Sequence, residues 1–249
     1  MLLSLLSCAG TGSPSQNPEE PLTLHVNVLD SLPHDTSSYT QGFEIADGIL
    51  WESTGLYTSS TLQKLDPVTG QVNAVYPLPD SLFGEGLTVV GDTVYQLTWR
   101  SGLVLKWYTE DPVLTLCDTI ETDGWGICSV NDSTVITSDG TASLYVRDLS
   151  SFDTRGTLTA TIDGSPVNQL NELEYAGGYI YANRYYSDYI YRIDPSSGEV
   201  SAMIDASSLR TRSSCQTGVL NGIAWDEDRQ AFLLTGKNWP AIYITTFVE

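Results

Sequence analysis

The sequence predicts an all-β protein, a five-bladed β-propeller, and three observations lead to this prediction. A unit of a short strand, a tight turn and a second strand recurs five times, at intervals of about forty to fifty residues. Helix-forming runs are few, and the chain has only two methionines. Similar outer-strand segments separate the units. A strand-based repeat of this length is typical of propeller blades.

The five copies share an order of features that predicts an inner β-hairpin in each. The first strand begins at Gln41-Gly42-Phe43, Glu85-Gly86-Leu87, Trp125-Gly126-Ile127, Asn171-Glu172-Leu173 and Asn221-Gly222-Ile223. A turn follows, rich in Gly, Asp and Asn, at Asp47-Gly48, Gly91-Asp92, Asn131-Asp132, Gly177-Gly178 and Asp226-Glu227-Asp228. The second strand has its first core position at Ile49, Val94, Val135, Ile180 and Phe232.

Two segments between the copies predict outer strands, because each alternates apolar and polar residues before Asp-Pro and a later Gly. These are Leu62 to Gly70 and Ile190 to Gly198. Strand-like segments also flank the repeats, at residues 22–29 and 241–247. A ring of sheets with unpaired first and last edges would expose those edges. We therefore expect the first and last strands to share one blade and close the ring.

Composition limits the class of protein. Five units of about forty-five residues account for nearly everything after residue 21, so we expect one propeller domain over residues 22–249, preceded by a leader and flexible linker over residues 1–21. The formal charge of −20 repels phosphate backbones and anionic lipid faces, so nucleic acid is excluded as a partner. Its simplest interpretation is a solvated acidic surface. We expect a monomer.

The N-terminus resembles the end of a secretion signal meeting a Leu-Leu-Ser-Cys lipobox. This predicts lipidation at Cys8 and a location in the bacterial cell envelope, or secretion. Cys117, Cys128 and Cys215 then remain, and an odd count permits one disulfide at most. Cys117 and Cys128 either pair or are buried free thiols. With no CxxC motif and only His25 and His34, no metal site and no cofactor are expected.

Aligning the copies gives two sets of five positions that face one axis. The residues that open the first strands are Gln41, Glu85, Trp125, Asn171 and Asn221, and the residues just after the second strands are Thr54, Trp99, Gly140, Tyr185 and Lys237. Scaffolding needs only small or turn-forming residues there. Carboxamides, large aromatics, one carboxylate and one lysine are instead typical of a small-molecule or side-chain site.

Each candidate also has a structural interpretation. Glu85 lies between glycines and is able to bond turn amides, but a carboxylate on an inner strand is costly unless paired, which favours a functional role. Lys237 is otherwise a surface lysine, and Trp99 and Trp125 are otherwise core residues. Asn171 and Asn221 commonly satisfy turn backbone. Glu52 is a further candidate acid whose alternative is to cap a turn.

The ordered motifs resemble the glutamine cyclotransferase family, the plant and bacterial type of glutaminyl cyclase, whose members are five-bladed propellers. The resemblance covers nearly all of residues 39–243. It rests on the segments Tyr39-Thr40-Gln41-Gly42-Phe43, Phe83-Gly84-Glu85-Gly86-Leu87-Thr88, Gln96-Leu97-Thr98-Trp99, Gly124-Trp125-Gly126, Leu170-Asn171-Glu172-Leu173, Leu220-Asn221-Gly222-Ile223 and Thr235-Gly236-Lys237-Asn238-Trp239.

The resemblance implies conversion of an N-terminal glutaminyl residue of a peptide or protein to pyroglutamate, with loss of ammonia and without a metal. It places the catalytic acid on Glu85 and the pocket on Gln41, Phe83, Trp99, Trp125, Asn171 and Lys237. Two positions depart from the family pattern: Tyr39 stands where Phe is usual, and Tyr185 where Trp is usual. Both keep an aromatic wall and add a hydroxyl, which bears on substrate preference and rate.

These residues suggest a mechanism. Trp99, Trp125 and Tyr185 would hold the folded-back substrate, with Gln41 orienting it. Glu85, desolvated by Phe83 and the tryptophans, would shuttle the proton. Lys237 and Asn171 would stabilise the oxyanion, each worth about 2–4 kcal/mol. The alternatives are a non-catalytic propeller that binds a peptide or sugar in this pocket, and a calcium-dependent lactonase-type propeller, which would need more channel carboxylates.

Overall fold

The computed structural model describes residues 20–212 and 218–249, in which nearly all regular structure is β-strand and one short helix is present. In chain order the elements are β1 (Leu22–Pro33), β2 (Thr40–Ala46), β3 (Ile49–Thr54), β4 (Thr61–Leu65), β5 (Val72–Pro77), β6 (Gly84–Val90), β7 (Thr93–Thr98), β8 (Leu103–Tyr108), β9 (Thr115–Thr119), β10 (Ile127–Asn131), β11 (Thr134–Ser138), β12 (Ser143–Asp148), β13 (Thr154–Thr159), β14 (Thr161–Ile162), β15 (Ser165–Pro166), β16 (Leu170–Ala176), β17 (Tyr179–Arg184), β18 (Tyr189–Ile193), β19 (Val200–Asp205), α1 (Ser207–Arg212), β20 (Leu220–Asp226), β21 (Ala231–Gly236) and β22 (Ala241–Val248).

The strands form small antiparallel sheets in chain order, as expected of a propeller-like all-β fold. Strands β2–β5, β6–β9 and β10–β13 each make a four-stranded sheet, and β14 and β15 make a two-stranded one. The remaining strands form one eight-stranded sheet in the order β16-β17-β18-β19-β1-β22-β21-β20. The predicted outer-strand segments are β4 and β18, the third strands of their units.

The first and last strands pair, which confirms the expectation from the flanking segments. Strand β1 lies antiparallel to β22 along nearly its whole length, from His25 opposite Val248 to Pro33 opposite Ala241. On its other side β1 pairs parallel with β19. Both edges of β1 are therefore occupied, and neither the first nor the last strand presents an open edge there.

Apolar clusters lie between successive sheets, where the side chains of each face alternate inward. Between the first two four-stranded sheets, for example, Trp51 packs with Leu87 and Val94, all three essentially inaccessible to solvent. Equivalent clusters fill the other junctions between sheets in the described part of the chain. Burial of this apolar surface holds the sheets face to face.

The first strands of the five repeats lie side by side at the centre. Each of β2, β6, β10, β16 and β20 contacts the next, and β20 contacts β2. Glycine permits this close approach: a Cβ on Gly86 would lie 2.7 Å from the Trp125 carbonyl oxygen and 2.8 Å from the Cα of Gly126. The amide of Gly86 instead donates to that carbonyl at 2.7 Å.

One inner strand carries a glutamate where the other four carry glycine. Glu172 of β16 takes the place of Gly42, Gly86, Gly126 and Gly222. Its buried carboxylate accepts hydrogen bonds from the amides of Phe43 on β2, at 3.2 Å, and Ile223 on β20, at 2.9 Å. The Glu172 side chain therefore ties together three of the central strands.

The structure describes only some of the residues on which the cysteine and leader predictions rest. Cys128 is a buried free thiol, which is the second of the two alternatives for this residue. Cys8, Cys215 and the side chain of Cys117 lie outside what the structure describes, so the lipidation and envelope assignments stay predictions. Among the described residues no helix is long and apolar enough to cross a membrane.

The close approach of the inner strands predicts that an added methyl group destabilises the protein where the strands touch and has little effect elsewhere. A Cβ on Gly126 would overlap the carbonyl oxygen of Asn171, which is backbone and has no room to move. We expect Gly126→Ala to lower the free energy of unfolding by about 1–3 kcal/mol, measured by urea denaturation. Gly156→Ala, in open space on β13, is the control. Equal stability of the two variants would contradict the account of the close approach.

Candidate active site

One cavity of about 200 Å³ opens where the inner hairpins begin and end. It is lined by Tyr39, Gln41, Leu56, Phe83, Glu85, Trp99, Trp125, Asn171, Tyr185 and Lys237. All eight site residues named from the sequence lie in this lining. They come from all five repeats, although they are spread over almost two hundred positions of the chain.

The backbone at the start of three inner strands directs side chains into the cavity. The pairing register shifts between Thr40 and Gly42, between Gly84 and Leu87, and between Leu170 and Leu173. A bulge of this kind inserts an extra residue and redirects its side chain. Gln41, Glu85 and Asn171 occupy these irregularities and therefore reach the cavity.

The residues after the second strands reach the cavity by a shared backbone bond. The amides of Trp99, Tyr185 and Lys237 each donate to a carbonyl just before the first strand of their own repeat. The acceptors are Phe83, Gln169 and Val219, at 3.0, 2.8 and 2.9 Å. This bond continues the hairpin by one residue and fixes the side chain at the cavity wall.

Aromatic rings form most of the wall. The Phe83 and Trp99 ring centroids are 5.4 Å apart, and the Trp125 and Tyr185 rings meet edge to face at 5.6 Å. Trp125 lies directly on Gly140, where a Cβ would be 2.7 Å from the indole ring. Gly140 has a φ of +82°, so both its backbone and its contact with Trp125 favour glycine.

Lys237 is held inside the cavity by polar and aromatic groups. Its ammonium donates to Oε1 of Gln41, which also accepts from the Asn221 amide at 3.3 Å. The Nζ atom is 4.5 Å from the Tyr39 ring centroid and 5.8 Å from that of Tyr185, distances at which cation–π attraction operates. Burial lowers the pKa of Lys237 to about 8, although the Glu85 and Glu172 carboxylates act to raise it.

Glu85 is the buried acid of the site. Its side chain is 5 % exposed, and among the described residues it accepts no hydrogen bond. Burial raises the pKa of Glu85 well above its usual range, and the nearby positive charge of Lys237 only partly offsets this. A carboxyl group in such surroundings holds a proton at pH values where an exposed glutamate is ionised.

Two buried polar atoms at the cavity have no protein partner in the described part of the chain. They are the indole nitrogen Nε1 of Trp125, a donor, and the carboxamide oxygen Oδ1 of Asn171, an acceptor. A buried group without a partner costs free energy, so both are suited to a polar ligand. Asn171 thus offers an acceptor, and the role of its amide group as an oxyanion donor stays a prediction.

Four residues singled out from the sequence do not line the cavity: Gly140 lies behind the Trp125 ring, and Glu52, Thr54 and Asn221 have partners elsewhere. Glu52 is fully buried against His34, with Nε2 and Oε1 3.1 Å apart, and accepts from Thr40, so it is neither a candidate acid nor a turn cap. The His34 pKa is raised because the Glu52 carboxylate outweighs the opposing effect of burial. Thr54 bonds Thr61, and Asn221 donates to the Thr40 carbonyl.

Leu56 lines the cavity and was not found from the sequence. It lies in the loop after β3, outside the repeat register, and has a φ of +88°. No sequence signal marks such a conformation in a leucine. As for metals, no group of three or more His, Cys, Asp or Glu side chains within residues 20–212 and 218–249 is placed to hold an ion.

Known proteins are similar to this chain in sequence and in fold. The sequence pattern of the glutamine cyclotransferase family matches residues 1–247. A glutaminyl-peptide cyclotransferase of Arabidopsis thaliana is 36 % identical over 226 residues, 88 % of this chain and 70 % of the plant protein. The crystal structure of Myxococcus xanthus glutaminyl cyclase superimposes with a TM-score of 0.86 at 33 % identity, over 92 % of this chain and 99 % of that one.

A more distant structure bears on the fold alone. The WD40 β-propeller domain of Doa1 matches with a TM-score of 0.51 at 10 % identity, over 82 % of this chain and 62 % of that one. The fold is thus propeller-like, and the family and structural matches define the class of protein as a glutaminyl cyclase. The chain belongs to the glutamine cyclotransferase family.

The contact between Gly140 and Trp125 predicts a local effect on the cavity wall. Gly140→Ala should displace the indole and change the near-ultraviolet circular dichroism spectrum. Gly164→Ala is the matched control, because Gly164 also has a positive φ, +71°, but open space around it. Both variants carry the same conformational strain. An unchanged spectrum in Gly140→Ala would contradict the packing described.

Proposed function

We propose that this protein is a glutaminyl-peptide cyclotransferase that acts on peptides or proteins with N-terminal glutamine. The observation that carries the proposal is the buried Glu85, which accepts no hydrogen bond from the described residues, in an aromatic cavity with the buried ammonium of Lys237. A pocket that only binds a peptide or sugar has no need of an acid with a raised pKa. Membership of the family supports the same reaction.

The reaction closes a five-membered ring. The substrate α-amine attacks its own γ-carboxamide carbon, a C–N bond forms, the bond to the amide nitrogen breaks, and ammonia leaves. Much of the barrier is the cost of holding the folded-back conformer. The aromatic walls, in particular Trp99, Trp125 and Tyr185, favour this compact shape and exclude water.

Glu85 is the group that moves the proton. The α-amine loses one proton as it attacks, and the departing nitrogen gains one. A carboxyl group kept protonated by burial is able to do both: its O–H donates to the departing nitrogen while its other oxygen accepts the proton of the amine, so Glu85 is protonated again after each turnover. The Oδ1 atom of Asn171, which has no partner among the described residues, accepts from the substrate amine and orients the amine lone pair toward the carbonyl carbon.

Fixed donors stabilise the oxyanion that develops on the carboxamide oxygen. Lys237 supplies positive charge, and the indole N–H of Trp125, which has no acceptor in the described part of the chain, supplies a hydrogen bond. Both are buried, where such interactions are stronger than in water. Gln41 holds the Lys237 ammonium in place through its carboxamide oxygen.

We also infer that the domain over residues 22–249 has five blades. Three blades are the four-stranded sheets, and the eight-stranded sheet divides into β16–β19 and β20–β22 with β1. The closed order of contacts among the five inner strands supports this division.

The acid role of Glu85 predicts a selective loss of turnover. Incubation with a glutamine-initiated peptide, followed by mass spectrometry, should show ammonia loss well above the spontaneous rate. We expect Glu85→Gln to reduce kcat about 10²–10⁴-fold with an unchanged fold. Glu174→Gln is the control, because burial raises the pKa of Glu174 too, but it bonds the Trp225 amide outside the cavity.

Full activity of Glu85→Gln would refute the assignment of the acid. Binding of the peptide without turnover by the unmodified protein would instead favour the non-catalytic alternative.

The lowered pKa of Lys237 predicts an alkaline limit to activity. Lys237 is charged below about pH 8 and neutral above it, so kcat/KM should fall as the pH rises through 8. The substrate amine must be neutral, which sets the acid limb near its own pKa of about 8. Lys237→Met should lower kcat about 10²–10³-fold and abolish the alkaline limb. An alkaline limb that persists in this variant belongs to another group.

A further inference from the structure

Exposed apolar side chains surround the mouth of the cavity. Leu56, Tyr57 and Tyr186 are 41 %, 49 % and 72 % exposed, respectively. Single exposed apolar residues are common on protein surfaces, but a group of them beside a binding cavity marks a contact surface. We call Leu56, Tyr57 and Tyr186 the rim.

The rim continues the aromatic wall of the cavity without a break. The Tyr57 ring lies 5.5 Å from Phe83, and Tyr186 lies 4.1 Å from Tyr185. Tyr39 joins the two sides, since its ring meets Phe83 edge to face at 6.4 Å and shares the Lys237 ammonium with Tyr185, at 4.5 and 5.8 Å from the two ring centroids. A ligand that leaves the cavity therefore passes over aromatic surface.

The backbone holds these side chains outward in costly conformations. Leu56, Thr58 and Tyr186 have φ values of +88°, +70° and +56°, a region that residues with a Cβ rarely adopt. The loop after β3 is fixed by a hydrogen bond from Ser60 to the Leu56 carbonyl at 2.8 Å and by one from the Thr58 amide to Asp80 at 3.1 Å. Such strain persists where the surroundings impose it, and it is common at ligand sites.

The substrate chain must cross this rim. A cavity of about 200 Å³ is smaller than the roughly 300–1,000 Å³ of pockets that hold drug-sized ligands, so it has room for one residue. The carbonyl that links glutamine to the second residue therefore points out of the mouth, and the second side chain lies on the rim.

We propose that the rim is a binding subsite for the second residue of the substrate, and that it takes an aromatic or large aliphatic side chain. The inference rests on the proposed cyclotransferase function, because it assumes that glutamine occupies the cavity. It defines the preferred substrates as peptides that begin with glutamine followed by a bulky apolar residue.

The test compares Gln-Phe-amide with Gln-Gly-amide as substrates. We expect kcat/KM to be about tenfold higher for Gln-Phe-amide, from the apolar area that the ring buries. Tyr57→Ser and Tyr186→Asn should each reduce this ratio about threefold; asparagine suits the positive φ at position 186. The control is Tyr108→Ser, since Tyr108 is 47 % exposed on β8, away from the cavity. The kcat/KM ratio of this variant should match that of the unmodified protein.

A binding measurement separates the subsite from the reaction. Calorimetric titration with pyroglutamyl-Phe-amide and pyroglutamyl-Gly-amide requires no turnover, and we expect the phenylalanine compound to bind more tightly. Equal binding, or an unchanged kcat/KM ratio in both rim variants, would overturn the subsite while leaving the cyclotransferase assignment intact. Absence of turnover with tighter binding of the phenylalanine compound would overturn the reaction and keep the subsite.

Discussion

The close contact of the five inner strands is the constraint on which the rest of the structure depends. Where glycine follows the first residue of a strand, adjacent backbones touch, as at Gly86 and Trp125. Because the strands meet so closely, their first residues converge on a cavity small enough for one side chain. Glu172 is the exception that strengthens the centre, since its carboxylate bonds two other inner strands.

The cavity places charged groups where burial disfavours charge. Burial raises the pKa of Glu85 and lowers that of Lys237, because it disfavours the charged form of both side chains. The two opposite charges offset this cost in part. Two buried ionisable groups that lower stability without forming a full ion pair are typical of a catalytic site rather than of a structural one. The aromatic rings of the wall maintain it by excluding water.

Much of this arrangement could be predicted from the sequence, because the repeat supplied a register. Matching positions in five copies identified both ends of the inner hairpins, and seven residues of the cavity followed from that register, while Phe83 followed from the resemblance to the family. The pairing of β1 with β22 followed from the need to cover sheet edges. These inferences required only local pattern and the symmetry of the repeat.

The remaining features depend on which parts of the chain meet in space. Leu56 lies in a loop outside the repeat and adopts a positive φ, which a leucine in the sequence does not predict. Glu52 was a candidate acid until His34, from the segment before the first copy, was found against it. The donor and acceptor roles of Trp125 and Asn171 follow from atoms that have no partner within residues 20–212 and 218–249, which no pattern of residues reveals.

The central claim is that Glu85 carries a proton in its buried surroundings and is therefore able to serve as acid and base in turn. Difference infrared spectroscopy of the unmodified protein and Glu85→Gln over a pH titration measures this directly. The account predicts a protonated carboxyl band, absent from the variant, that persists well above the ordinary glutamate pKa of about 4.3. A band that disappears at or below that pH would contradict it.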